Sequence, residues 1–222
     1  MKIKSPCTDK REVEGLCKAG ADELFCGIEP FAWKRSYREF AISQRVGGAN
    51  FSKIQDLEVA LNTAHRYGVK VHVAFNAFFY LEEQYKKAIE LIKDILDIGA
   101  DGIIFADLGL LLNVDQKLLK DKDIVVGTDA VIFNSAAVDF YRSLGASRVV
   151  FPRAMTVTEM REVVEKRKDI EYEVFIIHDL CFFEDGLCAY CKETTGKIVQ
   201  KSRMKNIHFF SSSRLPVRGY GG

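Results

Sequence analysis

The sequence predicts an α/β fold, a (β/α)8 TIM-type barrel left incomplete at its C-terminal end, on three observations. First, a phrase recurs: Gly20-Ala21-Asp22 precedes Glu-Leu-Phe-Cys-Gly, Gly99-Ala100-Asp101 precedes Gly-Ile-Ile-Phe-Ala-Asp, and Gly145-Ala146-Ser147 precedes Arg-Val-Val-Phe-Pro-Arg, with a looser copy at Gly68-Val69-Lys70. In each copy an amphipathic segment ends at a Gly suited to the left-handed position after a helix, and a short apolar strand follows. Second, short strands with little polar interruption alternate with helical patterns, as in a parallel sheet covered by helices. Third, a doubly wound sheet would need a Gly-rich phosphate loop after an early strand, and none is present.

In chain order, strands are expected at residues 2–5, 23–26, 70–75, 102–106, 124–127, 148–151 and 172–177, the last as a buried strand. Helical patterns fall between them at 10–19, 52–67, 82–98, 108–119, 135–144 and 158–168. Asn134 and Thr156 stand where N-caps belong, and Thr156 has Glu159 three residues on to complete a capping box. Residues 1–191 are expected to form the barrel domain. Residues 192–222 are expected as a basic C-terminal extension carrying a candidate eighth strand at 207–211, with no helix after it.

A chain of 222 residues, 48% hydrophobic, buries a sizeable core as one large domain. The net charge of +1 argues against general affinity for nucleic acid or acidic membranes. The charge is uneven, however: residues 192–222 hold seven Lys or Arg against one acid, leaving 25 basic and 30 acidic groups before them. That basic tail is either a phosphate-binding surface or a solvated extension. No apolar run approaches the roughly 20 residues that span a bilayer, and the amino terminus lacks the apolar region of a secretory signal, so a cytoplasmic protein without membrane contact is expected. There the six cysteines are reduced.

Three of those cysteines crowd into one segment, behind His178 and Asp179. Cys181, Cys188 and Cys191 have the spacing Cys-x6-Cys-x2-Cys, which lets a short loop turn its thiolates to one point and hold zinc or an iron–sulfur cluster. Spacing alone does not choose the metal, and three buried or free thiols are the alternative. Cys7, Cys17 and Cys26 are scattered. In a barrel the working face is built from the carboxyl ends of the strands. Just past the strands stand Cys7, Gly27 with Glu29, Asn76, Asp107, Thr128 with Asp129, Arg153, and His178 with Asp179. The long 28–51 interruption interleaves Phe31, Trp33, Tyr37 and Phe40 with Lys34, Arg35, Arg38 and Arg45. It suits an unstacked base or another planar anionic substrate, or else it is a lid packing its aromatics onto the barrel rim.

Five phrases run over nearly the whole chain. They are Ala19-Gly-Ala-Asp-Glu-Leu-Phe-Cys-Gly, Asn50-Phe-Ser, Gly68-Val-Lys-Val-His-Val-Ala-Phe-Asn, Gly99-Ala-Asp-Gly-Ile-Ile-Phe-Ala-Asp-Leu-Gly, and Glu173-x-Phe175 leading to Cys181-x6-Cys188. With them the sequence resembles the U32 peptidase, or collagenase-like, family. The resemblance implies a (β/α)8 barrel. Several groups in that family bind a 4Fe-4S cluster through four cysteines and support oxygen-independent hydroxylation of RNA bases or quinone precursors, while others were described as peptidases. Its first two cluster cysteines fall on Cys181 and Cys188. The third and fourth lie farther downstream in the family, and no cysteine follows Cys191 here. Either Cys191 stands in for one of them or the remaining ligands lie outside this sequence. The family's His-Gly before the first cysteine becomes His178-Asp179-Leu180, which displaces the imidazole by one position.

Three functions follow as expectations. The first is an iron–sulfur hydroxylase acting on RNA bases or a small planar substrate. Asp107, Asp129, His178 and Asp179 would serve proton transfer, and Asn76, Arg153, Trp33, Arg35 and Arg38 would hold the substrate. The second is a peptidase using zinc at Cys181, Cys188, Cys191 and His178 or His208, although neither His-Glu-x-x-His nor Gly-x-Ser-x-Gly occurs. The third is a non-catalytic, metal-stabilised domain that binds RNA or a protein partner.

Overall fold

The computed structural model describes residues 1–37, 41–45, 49–177 and 185. Its elements run β1 (Lys4–Pro6), α1 (Val13–Lys18), β2 (Glu23–Ile28), α2 (Phe31–Ser36), β3 (Asn50–Phe51), α3 (Ile54–Arg66), β4 (Lys70–Phe75), α4 (Glu82–Asp97), β5 (Gly102–Phe105), α5 (Leu108–Asn113), β6 (Asp123–Val126), α6 (Ser135–Ser143), β7 (Arg148–Val150), α7 (Val157–Lys166) and β8 (Glu171–Glu173). All strand pairs are parallel, in the order β1-β2-β4-β5-β6-β7-β8, with β3 attached beside β2. The repeated phrase does what it promised. Gly20, Gly68, Gly99 and Gly145 end their helices at φ +98, +70, +104 and +93, and a strand starts within a few residues of each.

Strand alternation sorts the side chains into two cores. Leu24, Cys26, Val71, Val73, Phe75, Ile103, Phe105 and Val149 face the helices and pack with Leu57 and Leu61 of α3 and Ile92 and Ile95 of α4. The other parity forms a separate cluster of Ala74, Ile104, Val125 and Val150 with Phe25. Strands buried on both faces explain the near-continuous apolar runs in the sequence.

One layer closer to the strand starts, the inner face is charged. Arg148 of β7 reaches Glu23 of β2, with Nη2 donating to Oε1 at 2.9 Å, and its Nε donates to Glu171 of β8 at 2.9 Å. Lys4 of β1 pairs with Glu173 of β8 at 2.9 Å, and Lys2 with Glu171 at 3.4 Å. The first and last strands of the row are therefore within side-chain reach, so the sheet is curled into a barrel-like arc joined at its base by ion pairs. His72, fully buried, donates Nε2–H to Asp123 at 2.9 Å, since a carboxylate only accepts. Its Nδ1 has no hydrogen-bond partner. Burial would raise the Glu23 carboxyl, but the hydrogen bonds and charge of Arg148 outweigh it and bring it to about 2. Burial pushes the His72 imidazole down, against the hydrogen bond to Asp123.

Several expected boundaries change. Residues 10–12 form a turn, so α1 starts at Val13, and the 108–119 helix shortens to α5. The 28–51 loop contains α2 and β3, neither of which was expected. The buried strand at 172–177 is corrected to β8, Glu171–Glu173, and Val174, Phe175, Ile176 and Ile177 are exposed. Phe151 N–H still donates to Glu173 O, but the next amide on that side of the ladder, Arg153 N–H, goes to Asp185 instead, and the pairing stops. Both expected caps form: Asn134 Oδ1 accepts from Ala137 N–H at 2.9 Å, and Thr156 and Glu159 make a reciprocal capping box. Residues 192–222, with the candidate strand at 207–211, lie outside the described residues. Among the described residues no helix is long and apolar enough to cross a membrane.

Candidate functional site at the strand ends

Gly27 opens the site. It pairs with Ala74 of β4 on one side and Asn50 of β3 on the other, so β3 continues the line of β1 along the upper end of β2. A Cβ on Gly27 would lie 2.0 Å from Asn50 Oδ1, 2.8 Å from Ser43 Oγ and 3.0 Å from Arg45 Cδ. Only glycine lets the returning loop settle there. Ser43 Oγ donates to Asn50 Oδ1 at 3.0 Å. Arg45 donates from Nε to Ala49 O at 3.0 Å and from Nη2 to Cys7 O at 3.2 Å, and its guanidinium lies 4.7 Å from the Phe25 ring centre.

The same loop meets the end of β4. Gln44 N–H donates to Asn76 Oδ1 at 3.1 Å, and Asn76 Nδ2 donates to Asp129 Oδ2 at 3.4 Å. Asp129 sits in a 3-10 turn, Thr128–Ala130, that ends at Val131 with φ +58. A β-branched residue in the left-handed region stores strain of about 1–3 kcal/mol, the kind that accompanies a fixed functional geometry. Around the same rim, Asp107 Oδ1 caps α5 by accepting from Leu110 N–H and also accepts from Tyr85 Oη at 3.2 Å. Arg153, just past β7, binds Asp185 through its backbone N–H at 2.7 Å and its Nε at 2.9 Å. Glu29 pairs with Lys34 of α2 at 3.1 Å.

The expected residues thus divide. Asn76 and Asp129 come together. Asp107 is a helix cap, and Arg153 holds a buried carboxylate. Trp33 is 5% exposed, with Tyr37 edge-on at 4.8 Å and Tyr80 at 6.3 Å. It anchors α2 on the rim, while Phe31 at the start of the same helix is exposed. Arg35 is exposed on α2. Arg38, Phe40, His178, Asp179, Cys181, Cys188, Cys191 and His208 lie outside the described residues. Of Ser43, Arg45 and Asn50, the sequence points to Arg45, as one of the basic side chains of the 28–51 loop suited to a planar anionic substrate, and not to Ser43 or Asn50 as site residues. The glycine that admits them, Gly27 immediately after a strand run, was the available signal.

The described thiols do not suit a cluster. Cys7 and Cys26 are fully buried core residues, and contact with Cys7, followed by burial, pushes the Cys26 thiol up. Among the described residues no three His, Cys, Asp or Glu side chains gather to hold a metal ion. Both described histidines sit at the opposite end, His65 on Asp101 at 2.8 Å and His72 on Asp123.

Known proteins agree on the fold. The solved U32 peptidase Mk0906 superposes with a TM-score of 0.54 at 14% identity, covering 78% of this chain and 67% of that one. N-acetylneuraminate lyase from Fusobacterium nucleatum gives 0.52 at 10% identity, covering 78% and 61%. In sequence, the chain is 28% identical over 178 residues to tRNA hydroxylation protein P1 of Bacillus subtilis, covering 80% of this chain and 39% of the relative. It is 23% identical over 197 residues to the 23S rRNA 5-hydroxycytidine C2501 synthase of Escherichia coli, covering 89% and 27%. The chain therefore spans well under half the length of these two relatives. The sequence profile of peptidase family U32 matches residues 8–203, nearly the whole chain, and the chain belongs to that family.

Proposed function

We propose that the chain forms the barrel of an RNA-base hydroxylase that acts in the cytoplasm and takes an unstacked nucleotide at its strand-end face. The observation that carries this is the linked set Gln44 N–H, Asn76 and Asp129 at one mouth of the barrel, with Arg45 the next residue after Gln44 in the chain. It joins an amide that can read a base edge, a carboxylate that can take a proton and a cation suited to the backbone. The relatives named for tRNA hydroxylation and rRNA 5-hydroxycytidine synthesis support RNA as the substrate class.

Cys181, Cys188 and Cys191, with a further ligand from elsewhere, would hold a 4Fe-4S cluster, which supplies one-electron chemistry when bound. Asn76 would orient the base, and Asp129 would exchange a proton with it or with the oxygen donor.

The test is nucleoside mass spectrometry of RNA from cells lacking the gene and from the same cells carrying it, grown without oxygen. A pyrimidine nucleoside heavier by one oxygen atom should depend on the gene. Identical nucleoside profiles would refute the assignment.

A further inference from the structure

Resting on that reading, we propose that Arg45 is the phosphate subsite of the strand-end face, receiving a backbone phosphate of the nucleotide whose base reaches Asn76 and Asp129. The neighbours that hold Arg45 are Ala49 O, Cys7 O and Phe25 O, at 3.0, 3.2 and 3.5 Å, together with the face of the Phe25 ring. These contacts orient the guanidinium and bring it no negative charge. Other arginines packed against the barrel are neutralised: Arg148 by Glu23 and Glu171, Arg153 by Asp185, Arg167 by Asp139. Arg45 has no ion pair with any carboxylate among the described residues.

A partly buried cation without a counter-charge is costly, and an anionic ligand removes that cost. Burial holds the Arg45 guanidinium below its ordinary pKa, with the Cys26 and Cys7 thiols and Glu12 as the groups that oppose the shift. The group still carries its charge at neutral pH. Three of its five N–H groups go to carbonyls, which leaves one on Nη1 and one on Nη2, the pair that forks onto a phosphate. The chain links this fork to the base site. Gln44, the preceding residue, donates to Asn76 Oδ1 at 3.1 Å, and Asn76 donates to Asp129. Ser43 and Asn50 line the same edge with neutral polar groups.

The experiment is the affinity of the full chain for short single-stranded RNA, measured against salt concentration, for wild type, Arg45→Met, Arg45→Lys and Asp129→Asn. Arg45→Met should weaken binding roughly tenfold and flatten the slope of log affinity against log salt by about 0.7, one phosphate contact on a single strand. Arg45→Lys should keep the slope, and so should Asp129→Asn. Should Arg45→Met also lower the melting temperature, Arg45→Gln, which keeps amide donors for the carbonyls without the charge, is expected to show the same loss. RNA binding by wild type that survives in Arg45→Met or Arg45→Gln with an unchanged slope overturns the subsite and leaves the hydroxylase reading standing. A wild-type chain with no affinity for RNA sinks both.

Discussion

Asp129→Asn is expected to reduce RNA hydroxylation by roughly 10²–10⁴-fold, the usual worth of a positioned proton-transfer group. The substitution keeps the size and shape of the side chain. The contact with Asn76 Nδ2 can be kept by the remaining amide oxygen, so substrate affinity should change little. Among the described residues, three further carboxylates at this rim make structural contacts: Asp107 caps α5, Asp185 neutralises Arg153 and Glu29 pairs with Lys34. Asp107→Asn serves as the control. It keeps an acceptor for Leu110 N–H and should cost stability more than rate. Single-turnover kinetics on both variants separates the two roles, and equal rate losses would contradict the division.

Arg148→Met is expected to destabilise the fold by about 3–5 kcal/mol, because it leaves the buried Glu23 with only the half-exposed Lys2, at 3.2 Å, as an ion-pair partner. For a chain of this size that lowers the melting temperature by roughly 6–20 °C. Adding Glu23→Leu should recover most of the loss, since an apolar pair of similar volume has no charge to desolvate. The acid profile follows from the same residues. Glu23 titrates at about 2 in the fold against an ordinary 4.5, so its contribution is complete above the ordinary value and is lost as pH falls through the folded one. His72, depressed below its ordinary 6.5, adds a loss that begins as pH drops through that value. Denaturant melts at descending pH should show both stages in wild type and a smaller Glu23 stage in Arg148→Met, where Lys2 is the remaining ion-pair partner.

The strand series was legible because each copy of the Gly-Ala-Asp phrase carries its own local chemistry. The left-handed glycine stops the helix, and the β-rich run after it has no alternative. The caps at Asn134 and Thr156 were legible for the same local reason. Residues 172–177 misled because an apolar run says nothing about whether a partner strand continues beside it, and the amide of Arg153 was already committed to Asp185. Helix α2 and strand β3 were hidden because they depend on tertiary packing: Trp33 against Tyr80, and Asn50 against a residue without a side chain. The site was half visible. Asn76 and Asp129 follow directly from the strand-end rule, whereas Arg45 comes from a loop that must fold back across Gly27 before its position has meaning. Asp107 ahead of a leucine-rich turn carried an N-cap pattern, and that local use of the carboxylate took precedence over chemistry.

The proposed function requires RNA to dock on the carboxyl ends of the strands, and photocrosslinking of single-stranded RNA carrying thiouridine, followed by peptide mass spectrometry, locates the docking face. Crosslinks are expected in peptides containing Arg45, Asn76 or Asp129, and they should weaken in Arg45→Met. Crosslinks confined to peptides containing Lys2, Lys70 or Glu171, at the opposite end of the barrel, would contradict it.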